Sequence, residues 1–178
     1  MEDSAAMKER LKILSGERET AKRLLESAVD SLGFSVVVNE DFSRYSLFEE
    51  CARKVRTFIA FESLAFLVFS SDGLDFSLSY SDPPGKKAFF EEEIGPLIDD
   101  RTFAWAVDRN RPVIVTARDG SGQLLLHSMT TQNRTMGMFI GLLGEDEVHI
   151  LDLSFAFLTV VLSSVAGLLQ NAELYSVI

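Results

Sequence analysis

The chain has 178 residues, a length that fits one domain with an additional terminal segment. Its hydrophobic fraction of 47% and charged fraction of 25% exclude a disordered chain. The net charge of -10 argues against nucleic acid and against an anionic membrane surface as partners, since both require a basic footprint.

The first predicted element is a helical arm over residues 1–33. Apolar side chains recur there at alternating spacings of four and three, which is the heptad pattern of a coiled coil. The seam consists of Met7, Leu11, Leu14, Arg18, Ala21, Leu25, Ala28 and Leu32, and Arg18 is its one polar interruption. It fits either a two-stranded coiled coil, which is slightly favoured, or an amphipathic helix packed on its own domain. The charged start of the sequence lacks a signal peptide's apolar segment.

The remaining residues, 34–178, are predicted to form one domain. Residues 34–38 are β-rich and predict either an edge strand or an extended linker. Asp41 or Ser43 is expected to cap the next helix, which extends to about Ile59 and buries one apolar face.

The hydrophobic period then changes to two, which indicates strands. Residues 64–69 are apolar on both faces and predict a strand covered on both sides. After a turn at residues 71–73, residues 74–81 alternate between apolar and polar. A Pro-Pro-Gly sequence at 83–85 ends this strand, and a loop rich in Phe and Glu is expected to follow.

A short helix is predicted from about Thr102 to Arg109, where Phe103 and the residues one turn later are apolar. Three strands should follow, the last two joined as a hairpin. Their predicted ranges are 113–116, 123–130 and 135–143.

The last helix, from about His149 to Tyr175, carries two apolar stripes. A helix that is apolar on two sides must be covered on two sides, by the sheet and by a partner helix. The first stripe is Leu151, Phe155, Leu158, Leu162, Val165, Leu169 and Ala172; the second is Leu153, Phe157, Val160, Val161 and Leu168. We predict a homodimer held by the first stripe from Leu151 to Leu169 together with Leu11, Leu14 and Leu25 of the arm.

Residues 153–169 carry no charge and are also weighed as a membrane span. The run is shorter than the roughly 20 residues that a span needs, contains four hydroxyl groups and lacks flanking Lys or Arg. A buried helix without membrane insertion is therefore favoured. The helical pattern continues to Ile178, so the helix either leads into an output domain or ends in the dimer.

Together these elements predict an α+β fold: an antiparallel sheet of five or six strands with helices on both faces, preceded by the helical arm. The helix that starts near Ser43 and the last helix should share one face. The short helix should cover the other face and bury Trp105.

Three segments within residues 43–175 resemble a GAF domain, a small-molecule sensing relative of PAS domains. The first is an amphipathic helix followed by a strand and a turn, over residues 47–72. The second, TFAWAVDRNRPVIV at 102–115, is similar to the GAF helix followed by an Asn-Arg-Pro-Val turn and strand. The third combines the hairpin at 124–141 with the closing LLQNAELY at 168–175.

The resemblance implies a cytosolic sensory or regulatory module, usually dimeric through its first and last helices. On the resemblance we therefore expect a cytoplasmic protein whose two chains run parallel in the dimer. The connection at 116–123 is short where ligand-binding GAF domains often carry an extra helix, so a small or open pocket is expected. The cyclic-nucleotide signature Asn-Lys-Phe-Asp-Glu is absent. The phytochrome chromophore cysteine is not matched either, because Cys51 falls on the first domain helix.

The sequence offers little for catalysis. Cys51 is the one cysteine, which excludes an internal disulfide and a multi-cysteine zinc site. Only two histidines occur, His127 and His149, and His127 and Ser128 are strand neighbours that point to opposite faces. We therefore expect no enzyme activity, metal or cofactor.

A ligand pocket between the short helix and the sheet remains. Its candidate residues are Phe76, Leu78, Tyr80, Phe103, Trp105, Arg118 and His127. Two functions stay open: a sensory domain that binds a small ligand and relays it through dimeric terminal helices, and a ligand-free dimerisation or scaffold module. The aromatic cluster favours the first, and the short 116–123 connection favours the second.

Overall fold

The computed structural model describes residues 2–31, 43–144, 150 and 152–176, with side chains for 4–16, 18–19, 21–22, 43–144, 150 and 152–175. Segment 34–38, His149 and Leu151 lie outside the described residues, and so does the side chain of Leu25. The chain forms two compact units, Met1–Gly33 and Phe34–Ile178.

The first unit is a single helix, α1 (Glu2–Ser31), as the heptad pattern predicts. Four of its large apolar side chains are mostly exposed: Met7, Leu11, Ile13 and Leu14. The helix therefore presents uncovered apolar side chains at the predicted seam positions 7, 11 and 14.

The second unit alternates short strands with helices. Its elements are α2 (Arg44–Val55), β1 (Phe61–Phe69), β2 (Phe76–Asp82), a 3-10 turn (Pro84–Lys86), α3 (Lys87–Asp99), α4 (Thr102–Arg109), β3 (Val113–Thr116), β4 (Gln123–Thr130), β5 (Thr135–Leu143) and α5 (Asp152–Ser176). Ser43 is the N-cap of α2, and its hydroxyl accepts a hydrogen bond from the Ser46 amide at 3.4 Å. The helix ends at Val55, and Ile59 remains buried after the following turn.

The five strands form one sheet in the order β2-β1-β5-β4-β3, and every neighbouring pair is antiparallel. This confirms the predicted α+β class and strand number. On one face, α5 contacts β4 and β5, while α2 contacts α5 and β2. On the other face, α4 contacts β4, and α3 contacts β2 and α4.

Helix α3 corrects the expectation of a loop after Pro83. Phe90, Ile94 and Leu97 follow helical spacing and are buried against the sheet. Gly95 and Pro96 lie inside the helix, where both lower helix propensity and the missing amide of Pro96 removes one hydrogen bond of the helix. Burial of this apolar face outweighs the poor helix propensity of the segment.

Two glycines of β5 allow close packing on the α2–α5 face. A Cβ at Gly141 would lie 2.3 Å from the Phe61 ring, and one at Gly137 would lie 2.0 Å from the Leu67 carbonyl oxygen. Phe61 also contacts Phe139 edge to face, with ring centroids 5.2 Å apart. No side chain fits at these two positions, so β5 needs glycine there.

Helix α5 is covered differently from the prediction. Leu158, Leu162, Val165 and Leu169 of the first stripe are at most 2% exposed, because this face packs on the sheet and on α2. Phe157 and Val161 of the second stripe are also buried, and the Phe157 ring lies 3.6 Å from that of Phe58. The buried members of the two stripes adjoin on the helix and form one core face, so those first-stripe side chains are not available to a second chain. Leu153, Val160 and Leu168 of the second stripe are only partly buried.

By length and composition, Asp152–Tyr175 is the one described helix able to cross a membrane. Its buried residues nevertheless belong to the same core as the sheet. The helix is therefore part of the folded domain, as the sequence favours.

Candidate ligand cleft and helix surface

A bulge in β2 separates the residues predicted to share one pocket. Phe66 pairs with Tyr80 but Leu67 pairs with Leu78, so the alternation of β2 shifts at Ser79. Phe76 and Leu78 consequently pack on the α3–α4 side. Tyr80 turns to the α2 side, where its ring lies 5.2 Å from that of Tyr45.

A cleft of about 250 Å³ lies between α4 and the turn that joins β1 to β2. We call it the α4 cleft. It is lined by Phe69, Gly73, Leu74, Asp75, Phe76, Phe103, Ala104, Val107 and Asp108. Two of the predicted pocket residues, Phe76 and Phe103, are thus brought together. Phe69, Val107 and Asp108 also line the cleft but were not among the predicted pocket residues. The apolar spacing of the short helix indicates Val107, four residues after Phe103, whereas no sequence pattern indicates Asp108.

Three phenylalanine rings form the apolar part of the α4 cleft. The Phe103 ring stacks on Phe76 at 5.6 Å and 28°, and lies 6.2 Å from Phe69. Phe103 itself is 8% exposed and belongs to the core, whereas Phe69 and Phe76 are half-buried. Leu74, at the tip of the turn, is 87% exposed beside the opening.

Trp105 and Arg118 lie away from this cleft. Trp105 is 47% exposed, which corrects the prediction that it is buried, because α4 turns Phe103 and Ala106 toward the sheet. The Arg109 guanidinium covers its ring, 4.4 Å from the centroid. The Arg118 side chain is exposed, while its backbone amide donates to Oε2 of the buried Glu93 at 3.0 Å.

His127 lies on the α5 side of the sheet and is 1% exposed. Nδ1 is 2.8 Å from the carbonyl oxygen of Ser128, so this nitrogen donates, and Nε2 is 2.8 Å from the Thr159 hydroxyl on α5. Burial lowers the pKa of His127 from 6.5 to about 4, so the ring is neutral at pH 7. The side chain therefore joins β4 to α5 and does not face a cleft.

The rest of the α3–α4 side is filled. Leu67, Phe90, Leu126 and Met138 belong to one buried cluster there. Two hydroxyls on this side, those of Ser63 and Ser128, are buried without a hydrogen-bond partner; the cross-strand partners of these serines are Leu142 and Met138 of that cluster.

An ion pair connects the vicinity of the α4 cleft to α5. Arg134 Nη1 lies 2.8 Å from Glu173 Oε2, and Nη2 donates to the Ser70 carbonyl oxygen at 3.0 Å. Ser70 directly follows Phe69, a wall of the cleft. One arginine thus holds the end of β1 against the C-terminal part of α5.

The side of α5 that faces away from the sheet carries a further set of residues at heptad spacing, and none of them is fully buried. Its members are Leu153, Ala156, Val160, Ser163, Gly167, Gln170 and Leu174. We call this set the outer α5 face. Leu174 is 63% exposed, and a Cβ at Gly167 would meet nothing within 4 Å. From Leu153 to Gln170, each position of this face lies two residues before a position of the first stripe, which was predicted to form the dimer.

Metal and thiol chemistry find little support in the described part of the chain. No group of three or more His, Cys, Asp or Glu side chains there is placed to hold a metal ion. Cys51 is fully buried on α2, and burial raises the pKa of its thiol.

Solved structures share this architecture. The GAF domain of a two-component sensor histidine kinase from Bacillus halodurans matches 79% of this chain and 99% of its own length, at 13% identity and a TM-score of 0.55. The GAF domain/HD domain protein from Geobacter sulfurreducens matches 72% of this chain and 93% of its own, at 15% identity and a TM-score of 0.57. GAF3 of a Synechocystis protein, in its photoproduct state, matches 74% of this chain and 96% of its own, at 10% identity and a TM-score of 0.52.

No protein-family model and no curated protein matches the sequence. At these identities the structural matches establish the fold, which agrees with the five-stranded order and with the helices on both faces. The chain has the fold of a GAF domain.

Proposed function

We propose that this chain is a sensory or regulatory GAF domain, not an enzyme, that binds a small ligand in the α4 cleft and relays binding through dimeric terminal helices. The observation that carries the proposal is the connection from Phe69 through the Ser70 carbonyl and Arg134 to Glu173 on α5. A ligand that displaces the cleft wall would therefore act on α5.

Strand β4 offers a second route between the two sides of the sheet. Leu124 and Leu126 face the α3–α4 cluster, while His127 bonds to Thr159 on α5. A shift of α4 against β4 would therefore reach α5 through a packed strand. Such proximity is a reason to measure coupling and does not replace the measurement.

A homodimer is proposed through α1 and the outer α5 face, in place of the buried first stripe. Both helices carry apolar side chains at heptad spacing that are exposed, as on α1, or only partly buried, as on most of the outer α5 face. The small residues Ala156, Ser163 and Gly167 leave room for close approach of a second α5. A cytoplasmic location is proposed with it, supported by the packing of α5 in the domain core.

Sedimentation velocity of the full chain tests the dimer. We expect a dimer at tens of micromolar and a monomer for Val160→Glu, since a charge would be buried between the helices. Ile98→Glu is the matched control, because Ile98 is a 44% exposed apolar residue on α3. A wild-type monomer, or a Val160→Glu dimer of unchanged affinity, would refute this interface.

The ligand-free scaffold remains the second candidate function. The dense cluster under α3 and α4 and the small volume of the α4 cleft favour it. The two candidates differ in one measurable property: a scaffold has a dimer affinity that does not respond to any compound in the cleft.

A further inference from the structure

The α4 cleft combines aromatic walls with negative charge. The charged side chains that line it are those of Asp75 and Asp108, and none of its lining residues is basic. Phe69, Phe76 and Phe103 present rings whose faces carry partial negative charge. Both features attract a cation and repel an anion.

Neither carboxylate is neutralised by a neighbour within the described residues. Asp108 makes no hydrogen bond or ion pair there. One oxygen of Asp75 accepts from the Phe76 amide at 2.8 Å, which leaves the other oxygen for a ligand. Arg44 lines an adjacent cleft that shares Asp75 but forms no ion pair with it.

The size of the cleft favours a small occupant. A volume of about 250 Å³ falls below the usual range for drug-sized ligands, and the exposed Leu74 lies at the opening. A single ring or short alkyl group with one ammonium matches this volume more closely than a nucleotide or a tetrapyrrole does.

We propose that the α4 cleft binds a small organic cation, an ammonium compound with an aryl or alkyl body. This deepens the proposed function and rests on it. The apolar body packs against the cleft walls at Phe69, Phe76 and Phe103, and the ammonium lies at the rim beside Asp75 and Asp108. Attraction of the ammonium to one carboxylate at ~4 Å in water corresponds to a gain in affinity of about fivefold over a neutral analogue.

Three isosteric probes test the assignment: phenethylamine, phenethyl alcohol and phenylacetate. Each is titrated at low millimolar concentration into the full chain, observed by methyl NMR at Leu74, Ala104 and Val107. Val55, buried on α2, is the reference methyl. We expect the largest shifts at the cleft methyls, with phenethylamine binding at least about tenfold tighter than phenylacetate and the alcohol in between.

Asp108→Asn is expected to weaken phenethylamine about fivefold, the effect of a unit charge at ~4 Å in water, and to leave phenethyl alcohol unchanged. Asp99→Asn, an exposed carboxylate on α3, is the matched control. The change at residue 108 preserves shape, so loss of folding does not obscure the result.

Each remaining outcome is decisive. Equal binding of amine and alcohol, unaffected by Asp108→Asn, overturns the cation assignment but keeps the cleft as a ligand site. Stronger shifts with an N-acetyl-lysine amide than with phenethylamine identify a partner's lysine as the occupant and overturn the small-molecule assignment. No shift of the cleft methyls with any probe overturns the assignment and favours the scaffold function.

Discussion

Burial of His127 makes the stability of the domain depend on pH in a calculable way. The folded-state pKa is lowered from 6.5 to about 4, so between these values the unfolded chain takes up a proton at this site and the folded chain does not. The stabilisation that comes from the neutral His127 ring is therefore present at pH values above the pKa that this histidine has in the unfolded chain. It is lost as the pH falls toward the pKa that the histidine has in the folded domain.

The size of the effect follows from the two pKa values. Between about pH 7.5 and about pH 4.5, proton uptake at this one site should cost about 2.5 kcal/mol of folding free energy. That is a large part of the stability of an ordinary domain, about 5–15 kcal/mol.

Urea unfolding of the wild type and of His127→Gln over this pH range is the assay. His149 and all carboxylates are common to both proteins, so their contributions cancel in the difference. We expect the stability difference between wild type and variant to shrink by about 2.5 kcal/mol as the pH falls. A difference that is constant with pH would refute the reasoning, because His127 would then titrate alike in both states.

Three further changes test the packing. Gly141→Ala should destabilise the domain by about 1–3 kcal/mol, because its Cβ would overlap the Phe61 ring. Gly85→Ala is the control: its Cβ would lie in open space, so the free energy of unfolding should change by no more than about 0.5 kcal/mol. Urea unfolding compares the two variants. Ser128→Ala should be neutral or stabilising in the same assay, since it removes an unsatisfied hydroxyl; a loss above about 1 kcal/mol would reveal an unrecognised partner. In thermal unfolding, Trp105→Ala should cost less than about 1 kcal/mol and Phe103→Ala about 3–5 kcal/mol; equal losses would contradict their exposures.

Much of the fold is encoded in local patterns. The largely apolar runs at residues 123–130 and 135–143, joined by the polar residues 131–134, predicted β4 and β5 as a hairpin, and both strands are buried on both faces inside the sheet. Helix α3 was missed because Gly95 and Pro96 obscure the spacing of its buried residues. Burial of these residues against the sheet stabilises the helix, and this contact is not contained in the pattern of the segment alone.

The candidate site was predicted less well, because its geometry depends on contacts between residues that lie far apart in the sequence. Phe76 and Phe103 were identified as aromatic side chains at core spacing. Tyr80 was assigned to the same face because a β-bulge leaves no mark in single-strand alternation. For α5, the two stripes were expected to need two partners, although the sheet and α2 together bury Phe157 and Val161 of the second stripe along with most of the first.

Coupling between the α4 cleft and the α5 dimer is the central claim. The most direct test is sedimentation equilibrium of the full chain with and without a compound that shifts the Val107 methyl, on wild type and on Arg134→Gln. Allosteric coupling of ordinary size predicts that the compound changes the wild-type dimer dissociation constant by about fivefold or more, and that Arg134→Gln reduces this change. The same dissociation constant with and without a bound compound would contradict the account.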